Sequence, residues 1–244
     1  MVGIIALLLP FVLAGGTILL ALVAPGHALP HPILQRSISD YSYTAMGGFY
    51  VGSLCAIAAF LMCARGYDLT DEITGYLAGI FALGVALCPS ENPREAFHSR
   101  LQVEMNLVHT VFAALMFLVL AYFCLFLFRK TAPDRRRTRR KQHRDAVYAV
   151  CGSVILVCDA AMVSLTLDRA ERLLRPINPL LTCESLALIA FGVAWLTKGN
   201  GILRDRPHNH LQPPEDAGPS EARPGAHFGR AVGRRPSREV LKGA

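Results

Sequence analysis

The sequence predicts an all-α fold, a polytopic membrane helix bundle with six transmembrane helices and cytoplasmic N- and C-termini. The first observation is composition: the 244-residue chain is 52% hydrophobic and only 18% charged, whereas about a quarter of the residues in a soluble domain are charged. The second is that the apolar runs are continuous and do not alternate, which predicts helices and not barrel strands. The third is that Lys and Arg are bunched between these runs, as is typical of membrane proteins.

The individual helices follow from windows that reach or approach the roughly 20 apolar residues needed to cross a bilayer. In chain order, the predicted transmembrane helices are 4–24, 45–64, 73–88, 107–128, 147–167 and 180–196. The third is short and stops before Pro89, and the fourth is the most apolar. The first also has the length of a signal peptide, but no basic residue precedes its apolar run, which favours a retained helix. Cleavage would leave the other helices in the same orientation.

The predicted transmembrane domain covers residues 1–198, and residues 199–244 form a separate tail. The tail is rich in Pro, Gly, Arg and His and has little apolar periodicity. A segment of this composition cannot bury enough apolar surface to offset the entropy lost on ordering. We therefore expect a disordered cytoplasmic tail.

A basic loop between the fourth and fifth predicted helices sets the predicted orientation. Nine Lys and Arg residues lie from Arg129 to Arg144, and the positive-inside rule assigns such a loop to the cytoplasm. Successive crossings then leave segments 25–44, 89–106 and 168–179 outside, with only six of the 25 basic residues of the chain. The predicted location is the inner cell membrane, as a multi-pass protein with the lipid bilayer as its partner.

The same loop predicts a contact with anionic lipid headgroups on the cytoplasmic side, worth about 1 kcal/mol per basic residue near the surface. The residues assigned to this contact are Arg135, Arg136, Arg137, Arg139, Arg140 and Lys141. Because topology accounts for the formal net charge of +7, the sequence predicts no nucleic-acid partner. A specific phosphoinositide or protein-docking role for these residues is the alternative interpretation.

Small residues at four-residue intervals predict close packing between the second and third helices. Gly48, Gly52 and Ala56 share one spacing, and Gly75 and Gly79 repeat it in the third helix. Small residues at this interval let helix backbones approach closely in lipid. This pattern indicates packing and not catalysis.

The cysteines of the chain number seven, all in or at the ends of apolar windows and without a C-x-x-C pair. They are interpreted as buried, inert small hydrophobic residues. Cys88 and Cys183 differ because the predicted topology puts both near the outer face. A disulfide between them is an alternative in an oxidising compartment.

Three ionisable residues other than cysteine and tyrosine interrupt the apolar windows, where charge is costly and needs a reason. They are His109, Asp159 and Glu184, in the fourth, fifth and sixth helices. The predicted orientation puts all three in the outer half of the membrane, with Asp159 about 12 Å deep at 1.5 Å per residue. This arrangement favours one outward-facing polar pocket, able to relay protons, hold a metal or form a buried hydrogen-bonded network. The alternative is a set of separate interhelical hydrogen bonds.

A hydroxyl-rich segment, SISDYSYT, precedes the second helix on the same predicted side. Its candidate residues for the rim of the pocket are Ser37, Ser39, Asp40, Tyr41 and Tyr43. A second interpretation assigns the tyrosines to the membrane interface, where their rings bridge lipid and water. In that interpretation Ser37, Ser39 or Asp40 caps the start of the second helix.

Four stretches together resemble a known family: SISDYSYT, LAGIFALGVALCP, NLVHTVFAALMF and ESLALIAFGVAWLTKG. They resemble uncharacterised bacterial multi-pass membrane proteins classed as a domain of unknown function, over residues 37–199. That family favours an S-x-Y-Y-x-T signature, and Ser42 stands here in place of its second tyrosine. The resemblance implies helix count and topology and no activity. A looser similarity, to seven-helix hydrolases like the alkaline ceramidases, implies a zinc site of several histidines, and the lack of histidine in 180–196 argues against it.

The sequence favours a non-catalytic integral membrane protein whose outward-facing pocket binds a lipid or a small amphiphile. No G-x-S-x-G, H-E-x-x-H, P-loop or dinucleotide motif occurs, and we predict no catalytic residue, metal or cofactor. One alternative is a proton-coupled small-molecule transporter that uses Asp159 and Glu184. A second is a membrane-embedded hydrolase that uses His109 with an acidic partner.

Overall fold

The computed structural model describes residues 1–23, 34–64, 68–92, 99–130, 139–168 and 178–199. Every regular element in these ranges is helical, which confirms the all-α prediction. The elements are α1 (Val2–Val23), a 3₁₀ turn (Ser39–Tyr43), α2 (Gly47–Cys63), α3 (Leu69–Leu87), α4 (Arg100–Tyr122), a π-helical turn (Phe123–Leu127), α5 (Arg139–Asp168) and α6 (Pro179–Lys198). The chain divides into two units, Met1–Asp205 and Arg206–Ala244. The described residues all belong to the first unit, and the predicted disordered tail lies outside them beyond Gly199.

Most of these helices have the length and composition of membrane spans. Five are long and apolar enough to cross a membrane: α1, α3, α4 with its π-helical turn, α5 and α6. α2 is apolar but has 17 residues, at the lower limit of about 17–25 residues for a spanning helix. Large apolar side chains point away from the bundle, and four of them, Phe11, Leu22, Val23 and Val157, are 62–71% exposed. A surface of this kind suits contact with lipid and not with water.

α4 begins seven residues before the apolar window that predicted it, at Arg100 and not at residue 107. Its extra turns are polar and are held by local bonds. Ser99 Oγ accepts from Gln102 N at 3.2 Å, and Ser99 N donates to Gln102 Oε1 at 2.6 Å. This reciprocal capping box satisfies two of the backbone donors that a helix start leaves open. Hydropathy alone does not detect polar helical turns of this kind.

α5 also begins before its apolar window, at Arg139 and not at residue 147. Its first turns carry the basic residues of the predicted cytoplasmic loop. Lys141 Nζ lies 2.6 Å from Asp145 Oδ1, an ion pair at the i, i+4 spacing of a helix. Part of the loop is therefore a helical extension of the span.

Lysine side chains connect the helices at one end of the bundle, which we call the basic end. Lys130 follows α4 and pairs with Asp68 at 3.0 Å and with Asp71, both at the start of α3. Lys141 of α5 donates to a carbonyl oxygen at 3.2 Å, and Lys198 of α6 to another at 3.3 Å, both just after the π-helical turn. The start of α3, the end of α4, the start of α5 and the end of α6 therefore meet at this end.

The lysine cluster has an electrostatic signature. The hydrogen bond from Lys130 holds the pKa of the Asp68 carboxyl below its usual value. Hydrogen bonds to Asp71 and then to Asp68 raise the pKa of the Lys130 ammonium group. Both charged forms are thus favoured by the same ion pairs, which join α3 to α4.

Glycines allow two pairs of helices to approach closely. The sequence predicted one of these pairs, α2 with α3, but only part of the glycines that it assigned to the contact take part in it. A Cβ on Gly75 of α3 would stand 2.8 Å from a carbonyl oxygen of α2, and a Cβ on Gly79 3.0 Å from another. A Cβ on Gly48 or Gly52 would meet no atom within 4 Å. α2 and α3 therefore pack through the glycines of α3, and the predicted packing role of Gly48 and Gly52 is wrong because these residues face outward.

A second close approach, between α1 and α6, was not apparent from the sequence pattern. A Cβ on Gly3 would lie 2.9 Å from the Gly192 carbonyl oxygen, and a Cβ on Gly192 would lie 2.7 Å from the Gly3 carbonyl oxygen. Each glycine thus makes room for the backbone of the other. The contact lies near the start of α1 and the end of α6, so the start of α1 also belongs to the basic end.

The cysteines are free thiols in this structure. Cys88 and Cys183 are both among them, so the disulfide suggested as an alternative is absent from this structure.

The glycine contact between α1 and α6 yields a matched pair of variants. Gly192→Ala puts a methyl group into contacts with the Gly3 carbonyl and with the Leu7 nitrogen at 2.9 Å, so the backbones must separate. We expect the free energy of unfolding in detergent micelles to fall by about 1–3 kcal/mol, the usual cost of overpacking.

Gly52→Ala is the control for this experiment, because its methyl group meets open space. Replacing a helical glycine with alanine is otherwise favourable by about 1 kcal/mol, so Gly52→Ala should leave the stability unchanged or raise it. Equal effects of the two substitutions would contradict the close approach of α1 and α6.

Candidate functional site

Residues 34–46, called the capping segment, precede α2 and cover the end of the bundle opposite the basic end. Backbone groups tie this segment to α6. The Leu181 amide donates to the Arg36 carbonyl oxygen at 2.9 Å. The Ile38 amide donates to a carboxylate oxygen of Glu184. An irregular segment thereby gains partners for its backbone and lies across the start of α6.

Further contacts tie the capping segment to α3 and α1. The Tyr43 hydroxyl donates to the Ser90 carbonyl oxygen, just beyond the end of α3. The hydroxyls of Thr44 and Thr17 are 3.5 Å apart, which joins the segment to α1. The starts of α2 and α6 and the ends of α1 and α3 therefore meet at this end, called the capped end.

The hydroxyls of the capping segment stabilise its own turns and do not cap α2. Ser37 Oγ accepts from the Asp40 amide at 3.1 Å and lies 2.9 Å from Ser39 Oγ, which stabilises the 3₁₀ turn. The residue that precedes α2 is Met46, and no side chain caps that helix. The interpretation that Ser37, Ser39 or Asp40 caps the second helix is therefore wrong, because a separate turn intervenes.

A cleft of about 610 Å³ opens beneath the capping segment, between α4 on one side and α5 and α6 on the other. Its polar wall includes charged and hydroxyl groups at the capped end. These are Arg36, Ser37, Ser39, Asp40, Ser90, Glu91, Asn106, His109, Thr110, Thr166 and Glu184. The remaining wall is apolar and comes mainly from α4 and α5, for example Phe117 and Met162. One cavity thus offers a polar region and an apolar region side by side.

His109 lies in the wall of this cleft, about 14 Å along α4 from Arg100 at 1.5 Å per residue. Its side chain is buried, and Nδ1 is 2.8 Å from the Cys88 carbonyl oxygen at the end of α3. A carbonyl oxygen only accepts, so Nδ1 carries the proton and donates it to this bond. The helix start at Arg100 puts His109 deeper in α4 than the first turn that hydropathy predicted.

Glu184 lies in the first turns of α6 and lines the same cleft as His109. Its carboxylate accepts the Ile38 amide and so belongs both to the wall of the cleft and to the attachment of the capping segment. The structure therefore brings together two of the three residues predicted for the polar pocket.

Asp159, the third predicted pocket residue, is not among the residues that line this cleft. Its Oδ1 atom is buried and has no hydrogen-bond partner among the described residues. The side chains that α5 presents to the cleft are one or two turns further on, at Met162, Val163, Leu165 and Thr166. Asp159 precedes Val163 by four residues and Thr166 by seven, so it shares their face of the helix. Its depth along α5, and not the rotation of that helix, separates it from the residues that line the cleft.

The predicted rim residues divide into two groups. Ser37, Ser39 and Asp40 line the cleft. Tyr41 has no exposed surface, and burial raises the pKa of its phenol group. Tyr43 contacts the end of α3 and not the cleft. The interfacial role suggested for Tyr41 does not fit a fully buried ring, because that role needs a ring between lipid and water.

Arg36 is a cleft residue that the sequence analysis did not select. Its Nε atom is 3.4 Å from Asp40 Oδ2, and the Asp40 side chain is only 5% exposed. The signal was present in the i, i+4 spacing of the pair within the hydroxyl-rich segment. Asn106 was also missed, since it stands at the edge of an apolar window; its Oδ1 accepts the Glu91 amide at 3.0 Å.

Half of the predicted headgroup-contact residues can be located. Arg139 and Arg140 are exposed and Lys141 is half-buried, all in the first turn of α5 at the basic end. Arg135, Arg136 and Arg137 lie outside the described residues. The positions of these three residues do not test the contact with anionic headgroups, which remains a prediction.

Comparisons with protein-family models, with curated proteins and with solved structures give no match for this chain. The resemblance to a bacterial membrane-protein family thus remains a prediction. Within the described residues, no three His, Cys, Asp or Glu side chains form a group that could hold a metal ion. The groups that line the cleft offer hydrogen bonds, charge and apolar contact.

Glu184 offers a direct test of how the capping segment is attached. Glu184→Ala removes the acceptor of the Ile38 amide, a hydrogen bond to a charged group worth about 1.5–3 kcal/mol. We expect amide hydrogen exchange in residues 34–46 to accelerate by about tenfold or more, because local opening costs less. Exchange measured by mass spectrometry on peptides of this segment reports the change.

Asp159→Ala is the matched control, since it truncates a carboxylate that makes no bond to the capping segment among the described residues. Exchange in residues 34–46 should remain at the wild-type rate in this variant. An equal acceleration in both variants, or in neither, would contradict the role assigned to Glu184.

Proposed function

We propose that this chain is a six-pass membrane protein whose capped end faces outward and whose cleft binds a lipid or a small amphiphile. α2 completes the bundle as the sixth span, since its 17 residues extend about 25 Å at 1.5 Å per residue. A short span is accommodated by local thinning of the bilayer at modest cost. The start of α1 and the end of α6 then lie on the side of the basic end, which makes that side cytoplasmic.

The supporting observation for the orientation is the clustering of lysines at one end of the bundle. Lys130 follows α4, Lys141 belongs to α5 and Lys198 to α6, and all three are linked to neighbouring groups there. Basic residues at membrane-span ends favour the cytoplasmic side. The capped end, with the cleft, is then the outer end.

The observation that carries the proposed binding function is the two-part lining of the cleft. Arg36, Asp40, Glu91, His109 and Glu184 supply ionisable groups at the capped end, and α4 and α5 supply apolar wall. An amphiphile matches this division, with its polar group under the capping segment and its chain along the helices. The volume of about 610 Å³ lies within the roughly 300–1,000 Å³ usual for small-molecule sites.

The test uses a single-chain phospholipid with a fluorescent acyl chain, titrated against the full-length protein in detergent micelles. Ala114→Trp fills the cleft, because Ala114 lines it on α4. We expect saturable binding to the wild type and a loss of at least about tenfold in affinity for Ala114→Trp, equal to roughly 1.4 kcal/mol.

Ala160→Trp is the matched control, as Ala160 is exposed on α5 and lines no described cavity. It should bind the probe like the wild type. Saturable binding that both tryptophan variants keep would contradict the cleft as the binding site, and no saturable binding by the wild type would contradict the proposed function for this class of ligand.

A further inference from the structure

The lining of the cleft carries charges of both signs. Among the described residues, Arg36 supplies a positive charge, and Asp40, Glu91 and Glu184 supply negative charges. A ligand group that is only anionic would be opposed by the carboxylates, and one that is only cationic would be opposed by Arg36. A polar group that contains both charges is complementary to this lining.

The guanidinium group of Arg36 is only partly engaged by the protein. Its Nε atom lies 3.4 Å from Asp40 Oδ2, and the side chain as a whole is 38% exposed. No described residue accepts a hydrogen bond from its two terminal nitrogens. A guanidinium presents a planar fork of N–H donors that fits two oxygens of a phosphate. Arg36 therefore keeps donors for a ligand, while Asp40 orients its Nε side.

Two other donors of the cleft lack an acceptor in the described part of the chain. Ser90 lines the cleft, and its Oγ atom is buried without a partner. Asn106 Oδ1 accepts the Glu91 amide at 3.0 Å, so the NH2 group of the same side chain is a donor in the cleft wall. The Tyr43 hydroxyl donates to the Ser90 carbonyl oxygen, which holds Ser90 beside the capping segment that carries Arg36. These donors require a ligand with acceptor oxygens.

The carboxylates of the lining, by contrast, already have protein partners. Asp40 pairs with Arg36. Glu184 accepts the Ile38 amide, and Glu91 is engaged as well. An ionised carboxylate has about four acceptor positions, so a carboxylate with a partner still attracts a cationic group. Their charge thus suits an ammonium group and disfavours a second phosphate.

We propose that the polar region of the cleft recognises a zwitterionic phospholipid headgroup, with the phosphate on Arg36 and the ammonium group facing the carboxylates. The assignment rests on the proposed function and names its ligand class, a single-chain phospholipid of the choline or ethanolamine type. Ser90 and Asn106 supply further donors to the phosphate or ester oxygens. The acyl chain lies along the apolar wall of α4 and α5.

Three probes with the same fluorescent chain test the charge pattern. They are a lysophosphocholine, a lysophosphatidic acid and a chain that ends in trimethylammonium, each titrated against the full-length protein in non-ionic detergent micelles. We expect the wild type to bind the zwitterionic probe at least about fivefold more tightly than either singly charged probe, equal to roughly 1 kcal/mol. A smaller difference, or tighter binding of a singly charged probe, overturns the zwitterionic headgroup.

Arg36→Gln removes the charge and the donor fork but keeps a polar side chain. The affinity for the two phosphate-bearing probes should fall by at least about tenfold, equal to roughly 1.4 kcal/mol. The affinity for the trimethylammonium probe should stay or rise, because the opposing charge is gone. An equal loss for all three probes, as from a disturbed roof of the cleft, overturns the phosphate contact, and so does unchanged binding of all three.

Arg100→Gln is the matched control. Arg100 lies at the start of α4, where its side chain is 94% exposed, pairs with Glu104 and does not line the cleft. The substitution changes the charge at the same end of the bundle, and all three affinities should remain at the wild-type values. A loss equal to that of Arg36→Gln would show an effect of overall charge and contradict a direct contact.

Ser90→Ala adds a readout that a merely structural role would not give. Because Ser90 Oγ has no partner in the ligand-free chain, its removal should not lower the melting temperature. The affinity for the lysophosphocholine probe should nevertheless fall by at least about threefold. Full affinity in this variant would contradict the donor role of Ser90.

Failure of the proposed function and failure of the headgroup assignment give different results. Saturable binding that Ala114→Trp weakens but that responds neither to probe charge nor to Arg36→Gln retains the cleft as an amphiphile site and overturns the assignment. Absence of saturable binding for all three probes overturns both. Glycerophosphocholine, the same headgroup without a chain, should displace the probe at least about a hundredfold less effectively than lysophosphocholine. Comparable displacement would support the phosphate contact and contradict the amphiphile.

Discussion

The hydrogen bond from the Ile38 amide to the Glu184 carboxylate is the interaction on which the capped end depends. A carboxylate within a span is costly unless it is compensated, and an irregular segment at the end of a bundle needs partners for its backbone. The bond meets both needs at once. Together with the bond from the Leu181 amide to Arg36, it aligns the capping segment across α6 and so forms the roof of the cleft.

The two ends of the bundle are stabilised by different chemistry. At the basic end, Lys130 joins α3 to α4 through Asp68 and Asp71. At the capped end, backbone amides, hydroxyls and the half-buried carboxylate of Glu184 join the elements, and a cleft remains between the helices. Because Glu184 both lines this cleft and accepts the Ile38 amide, a ligand in the cleft would contact a group that also holds the capping segment.

The all-helical fold could be predicted because a continuous apolar run in a membrane has few alternatives to a helix. The start of α4 could not, since Ser99 and Gln102 form a capping box outside the apolar window. Two pocket residues, His109 and Glu184, were found from the cost of charge in lipid, and they do line one cleft. Asp159 satisfied the same criterion but does not line the cleft, because the cost of charge in lipid does not determine how far along a helix a cavity extends.

The glycines illustrate the same limit. The spacing of Gly48 and Gly52 equals that of Gly75 and Gly79, yet only the second pair lies against a neighbouring helix. A spacing shows that a helix has a small-residue face and does not show what that face meets.

The central claim is that the capped end and its cleft lie outside and the basic end lies in the cytoplasm. The most direct measurement uses reporter insertions in living cells, with one reporter active only in the cytoplasm and another only outside it. After Thr138, between α4 and α5, the cytoplasmic reporter should be active. A fusion that ends at Asn92, just beyond α3, should activate the external one. External activity after Thr138 with cytoplasmic activity at Asn92 would contradict the orientation and, with it, an outward-facing cleft.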